Sequence, residues 1–363
     1  MDILLGMLEA LDKISAELKL THDVLNLIAE IDEFKGNWQV FRTLSPERLS
    51  ALRRVATIES VGSSTRIEGV KLSDREIETL LTNLKTHSFK SRDEEEVAGY
   101  AEAMETIFES WRDLSLSENH IKQLHSTLLK FSSKDFSHRG KYKLAPNNVV
   151  AFDADGKEIG IVFATASPFE TPLEMEKLIG WLNAETTIHP LLKTAVFIVC
   201  FLAVHPFQDG NGRLSRILTT VLLLKFGYEY VPYSSLESVI EDNKDLYYKT
   251  LRRTQKTLTE DETDWNAWVL FFLRCLKKQK DRLSKKLERE RLLLVKLPKL
   301  SEEILKLARE HERLAISDLE TLTKANRNTL KVRLRELVRD GFLKQSGKAR
   351  ATWYSLAEMD KIQ

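Results

Sequence analysis

The sequence has little cysteine, no excess of either charge and no long hydrophobic run, and each shortage closes off a class of protein. Its two cysteines, Cys200 and Cys275, lie far apart in apolar, helix-like surroundings, so neither a disulfide framework nor a paired-cysteine zinc site is available. That usage suits a reducing cytoplasm. Lysine plus arginine (55) balances aspartate plus glutamate (54) for a net charge of +1; no global field draws the whole molecule to nucleic acid or to an anionic membrane, and any such attraction has to be local. The longest apolar stretch, Thr194 to Val204, is about half of the roughly 20 residues that span a bilayer. Asp2 and Glu9 stand where a signal peptide carries positive charge. No membrane segment or leader is expected, and no long repeat or low-complexity segment is found.

What the 363 residues do carry is helical periodicity, over a length that suits two or three domains. Apolar positions return every three or four residues through Leu4, Leu8 and Leu11, and again through Leu49, Leu52, Val55 and Ile58. Segments 119–131 and 172–184 read the same way. The one β signal is a pair of β-rich runs, Asn148 to Phe152 and Glu158 to Phe163, around Asp153-Ala154-Asp155-Gly156, which favours a tight reversal. Residues 190–204 and 214–226 predict two buried helices joined by the glycine-rich stretch 205–212. Further helices are expected over 236–256 and 263–290, the last ending in a charged run, Lys277 to Arg291. After Pro298 come three short helices near 301–310, 316–323 and 327–339, then Gly341-Phe342-Leu343 and a β-like tail at Thr352 to Leu356, an order that suits a winged helix-turn-helix. The fold class expected is mainly α.

The chemistry is concentrated in His205-Pro206-Phe207-Gln208-Asp209-Gly210-Asn211-Gly212-Arg213-Leu214-Ser215-Arg216. Proline ends the preceding helix, having no N–H to donate. Glycines at 210 and 212 allow positive φ and a close approach of ligand to main chain. The next helix offers its first free N–H groups, and its dipole favours an anion, with phosphate the natural guest. Arg213 and Arg216, three residues apart, can add charge-assisted contacts to phosphate oxygens. Asp209 is a hard oxygen ligand suited to Mg2+ beside a polyphosphate. His205 is the group with an ordinary pKa near neutrality and can take a proton from a hydroxyl. Each residue alone has an ordinary use, a histidine closing a helix or a Gly-Asn-Gly turn; a structural loop does not need the set.

This stretch resembles the Fic-family signature His-Pro-Phe-x-Asp-Gly-Asn-Gly-Arg-x-x-Arg at every defined position. The resemblance implies a Fic helical core in which His205 is the general base, Asp209 the Mg2+ ligand, and Gly210, Asn211 and Gly212 the anion hole. Arg213 would hold the inner phosphates and Arg216 the γ-phosphate. The implied reaction is attack of a protein Ser, Thr or Tyr hydroxyl on the α-phosphorus of ATP, with pyrophosphate leaving. The intact glycine-rich loop favours AMP transfer over the family's kinase-like branch, which departs from it.

Upstream, Ser64-Thr65-Arg66-Ile67-Glu68-Gly69 resembles the family's inhibitory pattern. Ser64 and Glu68 share a helix face and Gly69 suits the helix end; the resemblance implies a salt bridge from Glu68 to Arg216 that keeps ATP in an unproductive pose. The same glutamate could instead align water to remove AMP from a modified protein. The hairpin 148–163 resembles the family's flap, along which a target segment adds as a strand; otherwise it is a surface hairpin. Asn243, Tyr247 and Tyr248 resemble adenine-side residues, although a Tyr-Tyr pair on a helix also packs cores. Cys200 and His189 read as core.

Within 324–350 the cations Lys324, Arg327, Lys331, Arg333, Arg335, Arg339, Lys344, Lys348 and Arg350 outnumber Glu336 and Asp340, a footprint for phosphate-backbone binding. Winged helices also dock proteins or dimerise. Asn326, Arg327 and Asn328 could meet base edges or simply cap a helix. The expected layout is an N-terminal helical region (1–110) with the inhibitory helix at about 50–68, a Fic core (111–256) carrying the flap, a helical connector (257–297) and a winged-helix domain (298–363). The expected function is a cytoplasmic, autoinhibited protein adenylyltransferase using ATP and Mg2+, with itself among its targets and a homodimer in keeping with the family. The alternative is a DNA-binding regulator that senses nucleotide through its Fic fold.

Overall fold

The computed structural model describes residues 2–41, 46–84, 88–152, 158–294, 298–311, 313–339, 342–347 and 352–356. The expected reversal at 153–156 lies outside them, as do Asp340, Gly341, Lys348 and Arg350 of the basic C-terminal stretch. The chain divides into two compact units, Met1–Leu283 and Ser284–Gln363. The first carries helices α1 (Asp2–Glu17), α2 (His22–Phe41), α3 (Pro46–Ile67), α4 (Asp74–Thr82), α5 (Arg92–Ser110) and α6 (Glu118–Leu128). A hairpin of β1 (Val149–Phe152) and β2 (Glu158–Phe163) follows, then α7 (Thr171–Ala184), α8 (Pro190–Val204), α9 (Asn211–Lys225), α10 (Leu236–Glu241) and α11 (Lys244–Thr257). The long α12 (Trp265–Leu294) runs through the division in the chain. The mainly helical class is as the periodicity indicated.

The centre of the first unit is α8, in which every residue from Leu191 to Val204 is buried. Each large apolar side chain hidden there contributes roughly 1.5–3 kcal/mol. Its ends follow from local chemistry: Pro190 occupies the first turn, the His189 ring accepts the Leu191 N–H, and Pro206 prevents continuation. The partner helix α9 starts earlier than the sequence suggested, at Asn211 rather than 214. Gly210, at φ 79°, turns the chain straight into the helix, so the loop is shorter and Asn211, Gly212 and Arg213 form the first turn of α9. The single helix expected over 236–256 is broken at Asp242 and Asn243. Asn243 leaves helical geometry and its side-chain amide donates to the Val239 carbonyl at 2.7 Å, closing α10 as α11 begins.

Two peripheral helices are fixed against this centre. α5 opens on an N-cap, Ser91, whose hydroxyl accepts the Glu94 N–H, and crosses α6 so closely that a Cβ on Gly99 would collide with the Leu128 carbonyl oxygen. α3 stops at Ile67; the Thr65 carbonyl accepts from both Glu68 and Val70, and Gly69 at φ 106° turns the chain away.

In the second unit α13 (Lys299–Glu310), α14 (Ile316–Thr323) and α15 (Arg327–Arg339) enclose a core including Ile304, Leu319, Leu330, Leu334 and Leu337. Three short strands, β3 (Leu314–Ala315), β4 (Leu343–Ser346) and β5 (Trp353–Leu356), form an antiparallel sheet in the order β3-β5-β4. The Asn326 side chain accepts the Asn328 N–H at 2.8 Å and so serves the start of α15. Arg327 pairs with Glu320 and Arg333 with Glu336, while Lys331 and Arg335 are exposed.

Candidate active site

A cavity of about 390 Å3 opens over the α8–α9 connection. It is lined by His205, Asp209, Gly210, Asn211, Gly212 and Arg213 from the loop, Glu68 after α3, Arg92 and Glu96 of α5, Val149 and Phe163 of the hairpin, and Tyr247, Tyr248 and Arg252 of α11. A larger groove of about 850 Å3 between α3, α4 and α5 contains none of the loop, so volume alone does not pick out the chemistry. Of the residues singled out in the sequence, Ser64 and Arg216 lie behind the cavity wall, both buried, and Asn243 is not among its lining, its amide being engaged by Val239.

His205 sits at the C-cap of α8 in the left-handed region, φ 51° and ψ 59°, a conformation costly for most side chains but reached more readily by histidine. It turns the ring into the cavity. Nδ1 lies 3.3 Å from the Leu202 carbonyl; a carbonyl only accepts, so Nδ1 carries the hydrogen and Nε2 keeps its lone pair. Burial, helped by the charge of Lys143, pushes the imidazole down to about 4. At neutral pH the ring is therefore uncharged and able to take a proton.

Asp209 is half-exposed and held by three donors. Its Oδ1 accepts the Gly210 N–H at 2.6 Å and lies 3.4 Å from Arg213 Nη2, while Oδ2 is 2.7 Å from Arg92 Nη2. Burial alone would raise its pKa, but Arg213, the Gly210 N–H and Arg92 together hold it below the usual value. The Asn211 side chain faces inward, accepting the Phe207 N–H at 2.9 Å and donating to the Phe207 carbonyl at 2.6 Å. It clamps the loop, and what Asn211 can offer a ligand is its main-chain N–H. No side chain caps α9, so its first N–H groups face the cavity for an anion to use. Arg213 Nε and Arg216 Nη1 are buried donors without an acceptor among the described residues, which is costly unless a ligand supplies one.

Arg216 is 3% exposed and held from the α3 side by two of its three nitrogens: Nε donates to Ser64 Oγ at 2.8 Å, Nη2 to the Ser64 carbonyl at 2.9 Å and to Glu68 Oε1 at 2.7 Å. Although burial opposes a charged guanidinium, Glu68 raises its pKa further. The Glu68 carboxylate also rests against Gly212, where a Cβ would meet it head-on. Glycine at 212 thus opens the first turn of α9 to ligand and to Glu68 alike.

Several contributors gave no local signal. His125 stacks on Phe207 at 3.8 Å between ring centres, accepts the Gly140 N–H on Nδ1 and donates from Nε2 to the Asp209 carbonyl at 3.0 Å. Lys143, buried, donates to Asn147 Oδ1, Thr165 Oγ1 and the Val204 carbonyl, and burial lowers it to about 8. Asn147 in turn donates to the carbonyls of His205 and Phe207. Arg92 and Glu96 come from α5. These groups are far from the loop in sequence, and only the fold brings them to it.

A single carboxylate fits a divalent cation that arrives with a polyphosphate, since Mg2+ keeps waters and phosphate oxygens as most of its ligands. Among the described residues there is no group of three or more His, Cys, Asp or Glu side chains that could hold a metal ion, and a cation that arrives with a nucleotide needs only Asp209 from the protein.

Residues 115–223 match the model of the Fic/DOC family. The chain is 32% identical over 97 residues to a probable protein adenylyltransferase of Aquifex aeolicus, covering 27% of this chain and 28% of the relative. It is 27% identical over 242 residues to the protein adenylyltransferase Fic of Drosophila melanogaster, covering 65% of this chain and 44% of the relative. The matched region thus spans less than half of either relative. Among solved structures, a Fic family protein from Desulfovibrio desulfuricans shares the fold with a TM-score of 0.62 at 22% identity, covering 94% of this chain and 98% of the other. A Fic domain containing signaling protein from Bacteroides thetaiotaomicron aligns with a TM-score of 0.58 at 26% identity, covering 71% and 97%.

Proposed function

We propose that the chain, whose residues 115–223 match the model of the Fic/DOC family, is a protein adenylyltransferase, transferring AMP from MgATP to Ser, Thr or Tyr hydroxyls of proteins, and restrained by its own Glu68. The observation that carries this reading is a neutral histidine with a free Nε2, an uncapped helix N-terminus and Arg213 lining one cavity large enough for a nucleotide, with Arg216 buried behind its wall. His205 Nε2 takes the proton of the target hydroxyl as its oxygen attacks the α-phosphorus, and pyrophosphate leaves. Arg213 and the first N–H groups of α9 stabilise the charge that shifts onto the leaving phosphates. Asp209 holds the divalent cation of the substrate. Tyr247 and Tyr248 cover the base, and the hairpin edge aligns the target as an added strand. The C-terminal helices and sheet are read as a winged helix that docks a partner, with protein or DNA the two candidates.

The ion pair between Glu68 and Arg216 supports the restraint: the cation expected to orient the terminal phosphate is held by α3. Replacing Glu68 by glycine is expected to raise transfer by at least about tenfold, the effect of releasing one such contact of about 1.4 kcal/mol. The test is incorporation of label from α-labelled ATP with Mg2+ into the parent, Glu68→Gly and Glu68→Gly/His205→Ala proteins, each alone and with cell extract. Labelling strong only in Glu68→Gly supports both catalyst and restraint. ATP binding without labelling in any of them favours the nucleotide-sensing regulator instead.

A further inference from the structure

Four charged side chains at the mouth of the cavity form a closed ring. Glu96 Oε2 meets Arg213 Nη1 at 2.8 Å, Arg213 Nη2 lies 3.4 Å from Asp209 Oδ1, Asp209 Oδ2 meets Arg92 Nη2 at 2.7 Å, and Arg92 Nε returns to Glu96 Oε1 at 2.8 Å. The ring holds two arginines and two carboxylates and is neutral. Only half of it belongs to the loop; Arg92 and Glu96 come from the first turns of α5, one turn apart, where the Ser91 cap and the tight crossing at Gly99 fix them.

The two arginines are not equivalent. Arg213 is 3% exposed and lies against the 11% exposed Glu96, so it is locked. Arg92 is 44% exposed, and its planar guanidinium spans Glu96 through Nε and Asp209 through Nη2, so a turn of its methylene torsions toward solvent releases Asp209. It sits on the one carboxylate oxygen of Asp209 that neither Gly210 nor Arg213 uses. A divalent cation on that oxygen competes with the guanidinium 2.7 Å from it, because like charges a few ångströms apart repel strongly in a half-buried site.

Resting on the nucleotide-transfer reading, we propose that Arg92 is a tethered cation that holds Asp209 until the metal–nucleotide arrives and then yields the carboxylate to the metal, while Glu96 is a positioning residue that keeps Arg213 directed at the phosphates. Before binding, the ring prevents Asp209 from presenting a bare negative charge to incoming phosphates. On binding, Arg92 exchanges with the metal and stays at the rim on Glu96. Metal access is therefore set by a residue outside the loop.

The experiment compares parent, Arg92→Gln and Glu96→Gln full-length proteins. Mn2+ binding is followed by electron paramagnetic resonance in the presence of a non-hydrolysable ATP analogue, and analogue binding is measured calorimetrically with Mn2+ and with chelator. Arg92→Gln is expected to bind Mn2+ about three- to fivefold more tightly, having lost a competing half-exposed ion pair, and to bind the metal-free analogue more weakly because Asp209 is uncovered. Glu96→Gln is expected to weaken the analogue with and without metal. Unchanged Mn2+ affinity in Arg92→Gln, with the parent binding both ligands, overturns the exchange while leaving the transferase reading intact. A parent that binds neither analogue nor Mn2+ overturns both.

Discussion

The proton inventory of the site turns on two side chains shifted by burial, His205 and Lys143. His205 is kept neutral first by burial and then by Lys143, whose ammonium is held by Asn147, Thr165 and the Val204 carbonyl. An ordinary histidine protonates near about 6.5; His205, at about 4, stays a base through the whole neutral range. Between those values the folded chain binds fewer protons here than the unfolded chain, so this group's share of stability is complete above about pH 6.5 and is lost as pH falls toward about 4. In a nuclear magnetic resonance titration the His205 ring is expected to keep its neutral shift down to about pH 5. Lys143→Met should move the midpoint upward, since a repelling charge is gone, at a cost of about 1–3 kcal/mol of stability from three deprived acceptors. A midpoint near 6.5 in the parent would mean that the ring is solvated and that burial does not set its charge.

At the scale of elements, α3, which holds Arg216, is itself tied to its neighbours by a residue that is not part of the cavity lining. Arg66 grips Glu241 of α10 with two bonds, Nε to Oε1 at 2.7 Å and Nη2 to Oε2 at 3.0 Å, and meets Asp74 of α4 at 2.8 Å. It stands two residues before Glu68 and fixes the end of α3 against α10 and α4. Losing a partly buried, forked pair of this kind costs about 1–2 kcal/mol. If that cost falls on the docked position of Glu68, Arg66→Ala in a chain that retains Glu68 should raise AMP labelling about five- to thirtyfold and lower the melting temperature. A lower melting temperature with labelling unchanged would make Arg66 a stability contact only. How much was legible follows the same division. α8 and α9 could be read because one apolar run, one proline and two glycines are local facts, and Ser64 with Glu68 shows as a four-residue spacing. The break at Asn243 could not, because its neighbours keep helical periodicity across a residue whose amide closes one helix as the next begins. Arg92, Glu96, His125 and Lys143 carry no motif; they matter through what α5, α6 and the segment before β1 are packed against.

For the whole molecule, every group assigned to catalysis, nucleotide binding or restraint falls between Ser64 and Arg252, inside the first compact unit. The second unit has its own core and its own sheet, and its basic helix α15 already commits Arg327 and Arg333 to acidic neighbours. The proposed chemistry and the proposed docking thus fall on separate stretches of chain, and the two readings of function make different demands on them. A transferase whose site is complete in the first unit keeps its turnover when the second is removed; a regulator that reports nucleotide occupancy through α15 loses its only output. A chain ending at Leu294, the last residue of α12, and carrying Glu68→Gly should therefore label itself and extract proteins within about threefold of the full-length Glu68→Gly protein, with a nucleotide affinity to match. Loss of labelling from a truncated protein that still binds ATP and melts cooperatively would mean that the second unit presents the target to His205, and targets should then be sought through α15 rather than along the hairpin.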